Sequence, residues 1–297
     1  MTSLIEPSRG ETPVEAFERH RAALVAARRR MTLVGGGLFA VAFVVSTIVG
    51  EFSPLNLAAG LPKIAAYVDG TLPVLRGDHL MTDLGEWYWG IDRWLRLLFD
   101  TIVMGFVATL MGVIGAFALC FPASRNLMPT TWIYFVTRRL MELARAVPEL
   151  VYALIFVFAF GLGPLAGVLA IGLHTMGALG KLFSEVNENV EPGPLDGVRA
   201  AGGSWLETMR FGVVPQVLPN FASYALLRFE INVRAASVIG LVGAGGIGEE
   251  LYFVVRQFEY VDISAIVLLI LLTVSAIDIS CERLRHGLIG DAAVRAV

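Results

Sequence analysis

The chain has 297 residues, 56% of them hydrophobic and 16% charged, with a mean hydropathy of +0.69. A water-soluble domain carries about 25% charged and about 45–50% apolar residues, so this composition speaks against an ordinary cytosolic enzyme. The net charge of −3 excludes a nucleic-acid-binding surface as the main business, and two cysteines leave no disulfide framework.

The apolar residues are bunched into runs. Residues 31–50 carry no charge across 20 positions, residues 101–124 none across 24 and residues 150–180 none across 31, followed by shorter runs at 211–227 and 263–277. About 20 apolar residues in a helix span a bilayer core of about 30 Å. The first two runs qualify directly. The third holds Gly161, Gly163 and Pro164 in its middle, which predicts a turn between two crossings. Its first half is short, so that helix is expected to begin near Thr131 and to include Arg138, Arg139, Glu142 and Arg145, with Arg–Glu pairs at helical spacing. The last two runs extend through Arg228–Arg234 and through 262–281. Six crossings result.

Arg28, Arg29 and Arg30 directly precede the first run and place the N-terminus in the cytoplasm; six crossings return the C-terminus there, beside Arg283, Arg285 and His286. The first run is too long, and begins too far in, for a cleavable signal peptide. The segment 51–96 then lies outside, and its Trp87, Tyr88, Trp89 and Trp94 suit a membrane interface. Cys120 and Cys281 fall near cytoplasmic helix ends, where thiols stay reduced.

No catalytic constellation stands out. The four histidines are scattered, so no metal site is readable, and the one Gly-Lys pair, Gly180-Lys181, is followed by Leu182 rather than the Ser or Thr of a phosphate-binding loop. Gly243, Gly245, Gly246 and Gly248 match the dinucleotide pattern G-x-G-x-x-G, but no strand–helix–strand unit surrounds them. A flexible or close-packed glycine segment at the outer end of the fifth helix is the better reading.

The informative stretch is the cytoplasmic loop between the fourth and fifth crossings. Pro192 and Pro194 end the descending helix, Asp196 is placed to cap a short helix over 197–201, and Gly202-Gly203 stops it. Ser204-Trp205-Leu206-Glu207 is a capping box that starts a second helix. Two short helices at an angle would present Gly197, Ala200, Ala201, Gly202 and Trp205, either as a plain surface loop or as a docking knob for a cytoplasmic partner.

The segment Asp196-Gly197-Val198-Arg199-Ala200-Ala201-Gly202, continuing through Val214-Pro215 to Leu218-Pro219, resembles the signature loop of ABC-importer permeases, in which Glu-Ala-Ala is followed by three residues and Gly. Asp196 stands where Glu is usual, and Gly197 and Val198 replace the two alanines, while Gly202 and Pro215 keep the spacing. The phosphonate-transporter permease branch is more similar still, through Arg138-Arg-Leu-Met, His174-Thr-Met-Gly-Ala-Leu-Gly-Lys-Leu, Val213-Val-Pro-Gln-Val-Leu-Pro219, Arg228-Phe-Glu-Ile-Asn-Val-Arg234 and Gly240-Leu-Val-Gly-Ala-Gly-Gly-Ile-Gly248. The likeness covers roughly residues 95–286.

The resemblance implies an all-α integral membrane protein with about six transmembrane helices in the type I, methionine-permease-like fold of ABC importers, both termini cytoplasmic. Its divisions would be a cytoplasmic segment 1–30, a first transmembrane helix 31–50, a periplasmic loop 51–96, a permease core 97–286 with a coupling loop at 187–212, and a tail 287–297. The implied partners are a second copy of the permease, two cytoplasmic ATP-binding subunits, a periplasmic or lipid-anchored substrate-binding protein and membrane lipid, in the inner membrane of a bacterium. ATP and Mg would sit on the ATPase subunits and no cofactor on this chain. The coupling residues would be Asp196–Gly202, Ser204, Trp205 and Pro215. Intramembrane charges are costly and usually paired or functional, which makes His174, Arg228, Glu230 and Arg234 candidates for the path of a phosphonate or related phosphorus oxyanion. Two alternatives stand: the same fold carrying phosphite, phosphate or an amino acid, and an ion-driven secondary transporter, a class that shows internal repeats and broken helices.

Overall fold

A computed structural model describes residues 12–294, which are helical and contain no strand. The chain divides into two compact units with the boundary between Val68 and Asp69. The first contains α1 (Pro13–Val49), opened by a reciprocal capping box between Thr12 and Glu15, and most of α2 (Pro54–Thr71). The second runs through α3 (Leu80–Trp87), α4 (Ile91–Cys120), α5 (Thr131–Ala146), α6 (Glu149–Phe160) and α7 (Pro164–Glu188). It continues with α8 (Pro192–Ala200), the single turn α9 (Trp205–Glu207), α10 (Val214–Ile239), α11 (Ile247–Gln257) and α12 (Tyr260–Val294). A π-helical turn over Thr208–Val213 joins α9 to α10, and a 3₁₀ turn over Gly240–Val242 ends α10.

Among the described residues four helices are long and apolar enough to cross a membrane: α1, α4, α7 and α12. Two bent pairs, α5 with α6 and the α9–α10 run with α11, pass the same test together, which makes six crossings if each pair is one span. The sequence expectation of one helix from Thr131 to residue 160 is corrected here. The chain bends by 88° between α5 and α6. Val147 is extended (ψ 127°), as a residue before proline prefers, and Pro148 has no N–H to continue the helix. At 1.5 Å per residue the 12 residues of α6 reach only about 18 Å, short of a bilayer core.

Within the second unit, α7 approaches α4 and α5 closely through small residues. A Cβ on Gly112 would meet the Thr175 side chain at 2.5–2.7 Å, and one on Gly177 would meet the Met141 carbonyl at 2.7 Å. Where lipid is as apolar as leucine, such backbone approach and polar contacts hold helices together. The chief polar contact is fully buried: Asn232 on α10 donates to Thr109 Oγ1 on α4 (2.8 Å) and accepts from Thr175 Oγ1 on α7 (3.0 Å). At one end of the bundle Leu127, Leu179, Phe183, Leu195, Val213 and Phe221 form a core under the α7–α10 loop. The Phe183 and Phe221 rings stack at 3.9 Å. Outward, large apolar side chains such as Phe106, Phe158 and Leu271 stand exposed, a surface that suits hydrocarbon.

At the other end, the aromatic residues also make contacts within the protein. Trp94 is 1% exposed, Trp87 Nε1 donates to Ser264 Oγ (3.0 Å) and Trp89 Nε1 donates to Asp262 (3.1 Å). The glycine segment closes the same end. Gly243, Gly245 and Gly246 have φ of 82°, 80° and 76°, and the Gly243 carbonyl accepts from the Gly163 N–H (3.0 Å). The Ile247 N–H donates to Thr101 Oγ1 (2.9 Å). A Cβ on Gly248 would meet the Ser237 carbonyl and, at 3.1 Å, Gly240 Cα. This is a close-packed reversal into α11, with Ala244 and Ile247 fully buried.

Candidate coupling site and substrate path

The α7–α10 loop is a short helix on a rigid mount. α7 ends at Glu188, and α8 begins with Pro192 at its first position, where a missing N–H costs nothing. The expectation that Asp196 caps the helix is therefore corrected: the proline start lies a full turn earlier, and Asp196 sits inside α8, paired with Arg199 at 3.5 Å. The stop at Gly202-Gly203 is as expected. Gly202 has φ +84°, its N–H donates to the Arg199 carbonyl (2.9 Å), and the Gly203 N–H donates to the Val198 carbonyl (3.0 Å), the paired bonds of a Schellman cap.

The next turn carries the expected capping box. Ser204 N–H and Oγ–H each donate to Glu207 Oε2 (2.7 Å), and the Glu207 N–H donates back to Ser204 Oγ (3.4 Å). The backbone bond first, then the hydroxyl bond, hold the exposed Glu207 carboxyl below its ordinary value. Trp205 Nε1 donates to the Leu127 carbonyl in the α4–α5 connection (2.8 Å), which locks the loop to the bundle. Under α8, Leu195 is buried against Gly212 in the π-helical turn. Above, Asp196, Gly197, Arg199, Ala200, Ala201 and Gly202 are exposed, and a Cβ at Gly197 or Gly202 would meet nothing within 4 Å. Beside α8 a cleft of ≈ 450 Å³ is lined by Arg125, Met128, Arg199, Gly203 and Trp205. Pro215 sits in the first turn of α10. The result is an anchored knob with a small-residue outer face.

The four path candidates separate into different roles. His174 clamps the α5–α6 break: its Nδ1 lies 3.2 Å from the Val147 carbonyl, which can only accept, and its Nε2 lies 3.5 Å from Glu149 Oε1. Glu230 and Arg234 pair at 3.3 Å, as their spacing predicts, but both also reach α12, through Arg234–Asp278 (3.2 Å) and Arg285–Glu230 (3.7 Å). They staple α10 to α12. Arg228 stands apart on α10. Its Nε is buried without a hydrogen-bond partner, and it lines a cavity of ≈ 280 Å³ shared with Arg145 and Lys181.

Sequence reasoning did not single out Asn232, Thr109 and Thr175, nor Glu149 as the partner of His174, nor Glu188, which receives Arg138 at 2.8 Å. The Arg139–Glu142 pair forms as its spacing predicts, at 2.6 Å. The Val147-Pro148 dipeptide was the available signal for the break.

Comparison with known proteins agrees with this architecture. The family described as the inner membrane component of binding-protein-dependent transport systems matches residues 120–288. The phosphite transport system permease protein PtxC of Stutzerimonas stutzeri is 39% identical over 241 residues, which are 81% of this chain and 83% of that protein. The phosphate-import permease protein PhnE of Mycolicibacterium smegmatis is 38% identical over 179 residues, 60% of this chain and 34% of that protein. A third relative, named for a cryptic phosphonate transport system, PhnE2 of Escherichia coli (strain K12), is 49% identical over 122 residues, 41% of this chain and its own entire length. Among solved structures, the inward-facing MetNI methionine ABC transporter matches with a TM-score of 0.56 over 66% of this chain and 95% of that chain, at 18% identity, and so shares the fold. The chain belongs to the family of binding-protein-dependent transport system inner membrane components, and is accordingly a multi-pass permease subunit of an ABC importer rather than an enzyme or an ion-driven carrier.

Proposed function

We propose that this permease carries a phosphonate or a related phosphorus oxyanion inward across the cytoplasmic membrane of a bacterium. It works as a homodimer with two cytoplasmic ATP-binding subunits, which hold ATP and Mg, and with a periplasmic or lipid-anchored substrate-binding protein. Both termini, including residues 1–30 and 287–297, lie in the cytoplasm; residues 51–96 lie outside. Residues 187–212 couple the path to the ATPases. ATP-driven closure of the ATPase dimer pushes on α8 and switches the bundle between inward- and outward-facing states.

The observation that carries this reading is the build of α8. Its inner side is fixed by Leu195, by the Schellman cap and by the Trp205–Leu127 bond, and its outer side is a bare small-residue face. A rigid mount transmits force, and small exposed residues allow close docking. The oxyanion class is supported by relatives named for phosphite, phosphate and phosphonate transport, and by Arg228, a guanidinium without a carboxylate in contact among the described residues.

The test is purification of the complex from native membranes. An ATPase subunit and a binding protein should accompany the permease, and the binding protein should hold a phosphorus oxyanion. A binding protein loaded with an amino acid would overturn the substrate assignment, and a permease that purifies without an ATPase would overturn the coupling scheme.

A further inference from the structure

Three cations from three different helices line one small cavity: Arg145 at the end of α5, Lys181 on α7 and Arg228 on α10. The single carboxylate on its wall is Glu185, which pairs with Lys181 at 3.5 Å. Among the described residues neither Arg145 nor Arg228 has a carboxylate within 4.0 Å; Glu149, beyond that distance, is the one that acts electrostatically on Arg228. The lining thus carries a net charge of +2, three cations less one carboxylate.

Several arginines at other helix interfaces of the bundle are matched. Arg138 has Glu188, Arg234 has Asp278 and Glu230, and Arg93 has Glu250. Arg228, half-buried at this cavity and without a carboxylate in contact among the described residues, therefore calls for a ligand of opposite charge, and the exposed Arg145 stands beside it. The buried Nε of Arg228, a donor without an acceptor, calls for the same thing.

The volume narrows the ligand. The ≈ 280 Å³ lie just under the roughly 300–1,000 Å³ of ordinary small-molecule sites, and equal roughly nine waters at about 30 Å³ each. A single-phosphorus oxyanion with part of its hydration fits. Guanidinium groups present paired N–H donors to phosphate-like oxygens, and Tyr224 lines the same wall.

We propose that Arg145, Lys181 and Arg228 form a transient subsite for a phosphorus oxyanion inside the permease, where the substrate pauses between leaving the binding protein and entering the cytoplasm. This rests on the functional reading above and gives it a place in the bundle. Because the site is open and assembled from three helices that move against one another during the transport cycle, it holds the anion in one arrangement and loosens it in another, as a conducting site must.

The experiment uses the whole transporter, permease with ATPase and binding protein, in proteoliposomes. Uptake of phosphate, phosphite and methylphosphonate is measured together with binding-protein-stimulated ATP hydrolysis. The double variant Arg145→Gln/Lys181→Gln is expected to lower uptake at least tenfold while stimulated hydrolysis stays within twofold. The charge-keeping pair Arg145→Lys/Lys181→Arg should recover most of the uptake. If the wild type imports one of these anions and the neutral double variant imports it equally well per ATP, the subsite is wrong and the functional reading stands. If the wild type imports none of them but does import another solute, the functional reading itself fails and the subsite with it. A second measurement is independent of assembly in any variant: the wild-type complex without binding protein should broaden the ³¹P line of inorganic phosphate saturably, and absence of saturable broadening overturns the proposal.

Discussion

Gly197 offers a clean separation of docking from folding. It lies inside α8, is exposed, and a Cβ built on it meets nothing within 4 Å. Alanine there removes the conformational cost of a mid-helix glycine, worth about 0.5–1 kcal/mol, so Gly197→Ala should keep or slightly raise thermal stability. Tryptophan at the same place stays within the ordinary range of helix propensities, about 0.7 kcal/mol below alanine, and its bulk points away from the permease. Any loss of function in Gly197→Trp therefore arises outside this chain, at a surface that docks on α8. Gly202 is less informative: its φ of +84° costs any L side chain about 1–2 kcal/mol, so a bulky residue there disturbs the Schellman cap and the docking face together. The assay is ATP hydrolysis stimulated by the binding protein in proteoliposomes, beside thermal unfolding in detergent. Gly197→Ala should keep near-normal stimulation and Gly197→Trp should lose at least tenfold, about 1.4 kcal/mol of coupling, with an unfolding midpoint near that of wild type. Full stimulation in Gly197→Trp would falsify the docking role of this face.

Trp205→Phe keeps the ring and removes the N–H that reaches the Leu127 carbonyl; a net loss of about 1 kcal/mol is expected, read as faster amide exchange across residues 204–208. Asn232→Leu strips the one side chain that joins α4, α7 and α10, and should cost about 1–2 kcal/mol, seen as a lower unfolding midpoint in detergent and absent in an exposed control such as Asn220→Leu. The capping box has a definite pH sign. Glu207 is held below its ordinary value of 4.5, so the ionised form is favoured by folding; the stabilisation is present above that value and is lost as pH falls through the lower, folded one. Protection of the Ser204 amide, taken relative to its intrinsic exchange rate at each pH, should fall on acidification in that window, and Glu207→Gln, which still accepts through its amide oxygen, should flatten the response.

Local chemistry was readable from sequence, and contacts between distant segments were not. The apolar runs of α1, α4, α7 and α12 are long enough to specify a span without reference to neighbours. The Ser204–Glu207 box and the Gly202 stop involve residues one turn apart, so sequence places both partners at once. Asp196 shows the limit of the same reasoning. It has the side chain of a cap, but Pro192 already starts the helix, and a cap four residues further on has no free N–H to serve. The Asn232–Thr109–Thr175 contact joins residues separated by 123 and 57 positions, each a single polar group in an apolar helix that looks unremarkable alone.

The charges are where distance in sequence misleads most. Spacing correctly predicts that Glu230 and Arg234 pair, yet it gives no sign that Asp278 and Arg285 complete the group and turn it into a staple between α10 and α12. Spacing also treats Arg145 as a partner for Glu142, whereas Glu142 is taken by Arg139 at 2.6 Å. What distinguishes a structural arginine from one that meets a travelling anion is whether a carboxylate from another helix reaches it. By that criterion Arg138 and Arg234 are structural, while Arg145 and Arg228, the arginines of the proposed subsite, have no such carboxylate among the described residues. An ion pair with fixed protein partners would compete with the substrate for the guanidinium; a path for an anion needs cations the fold has left unmatched.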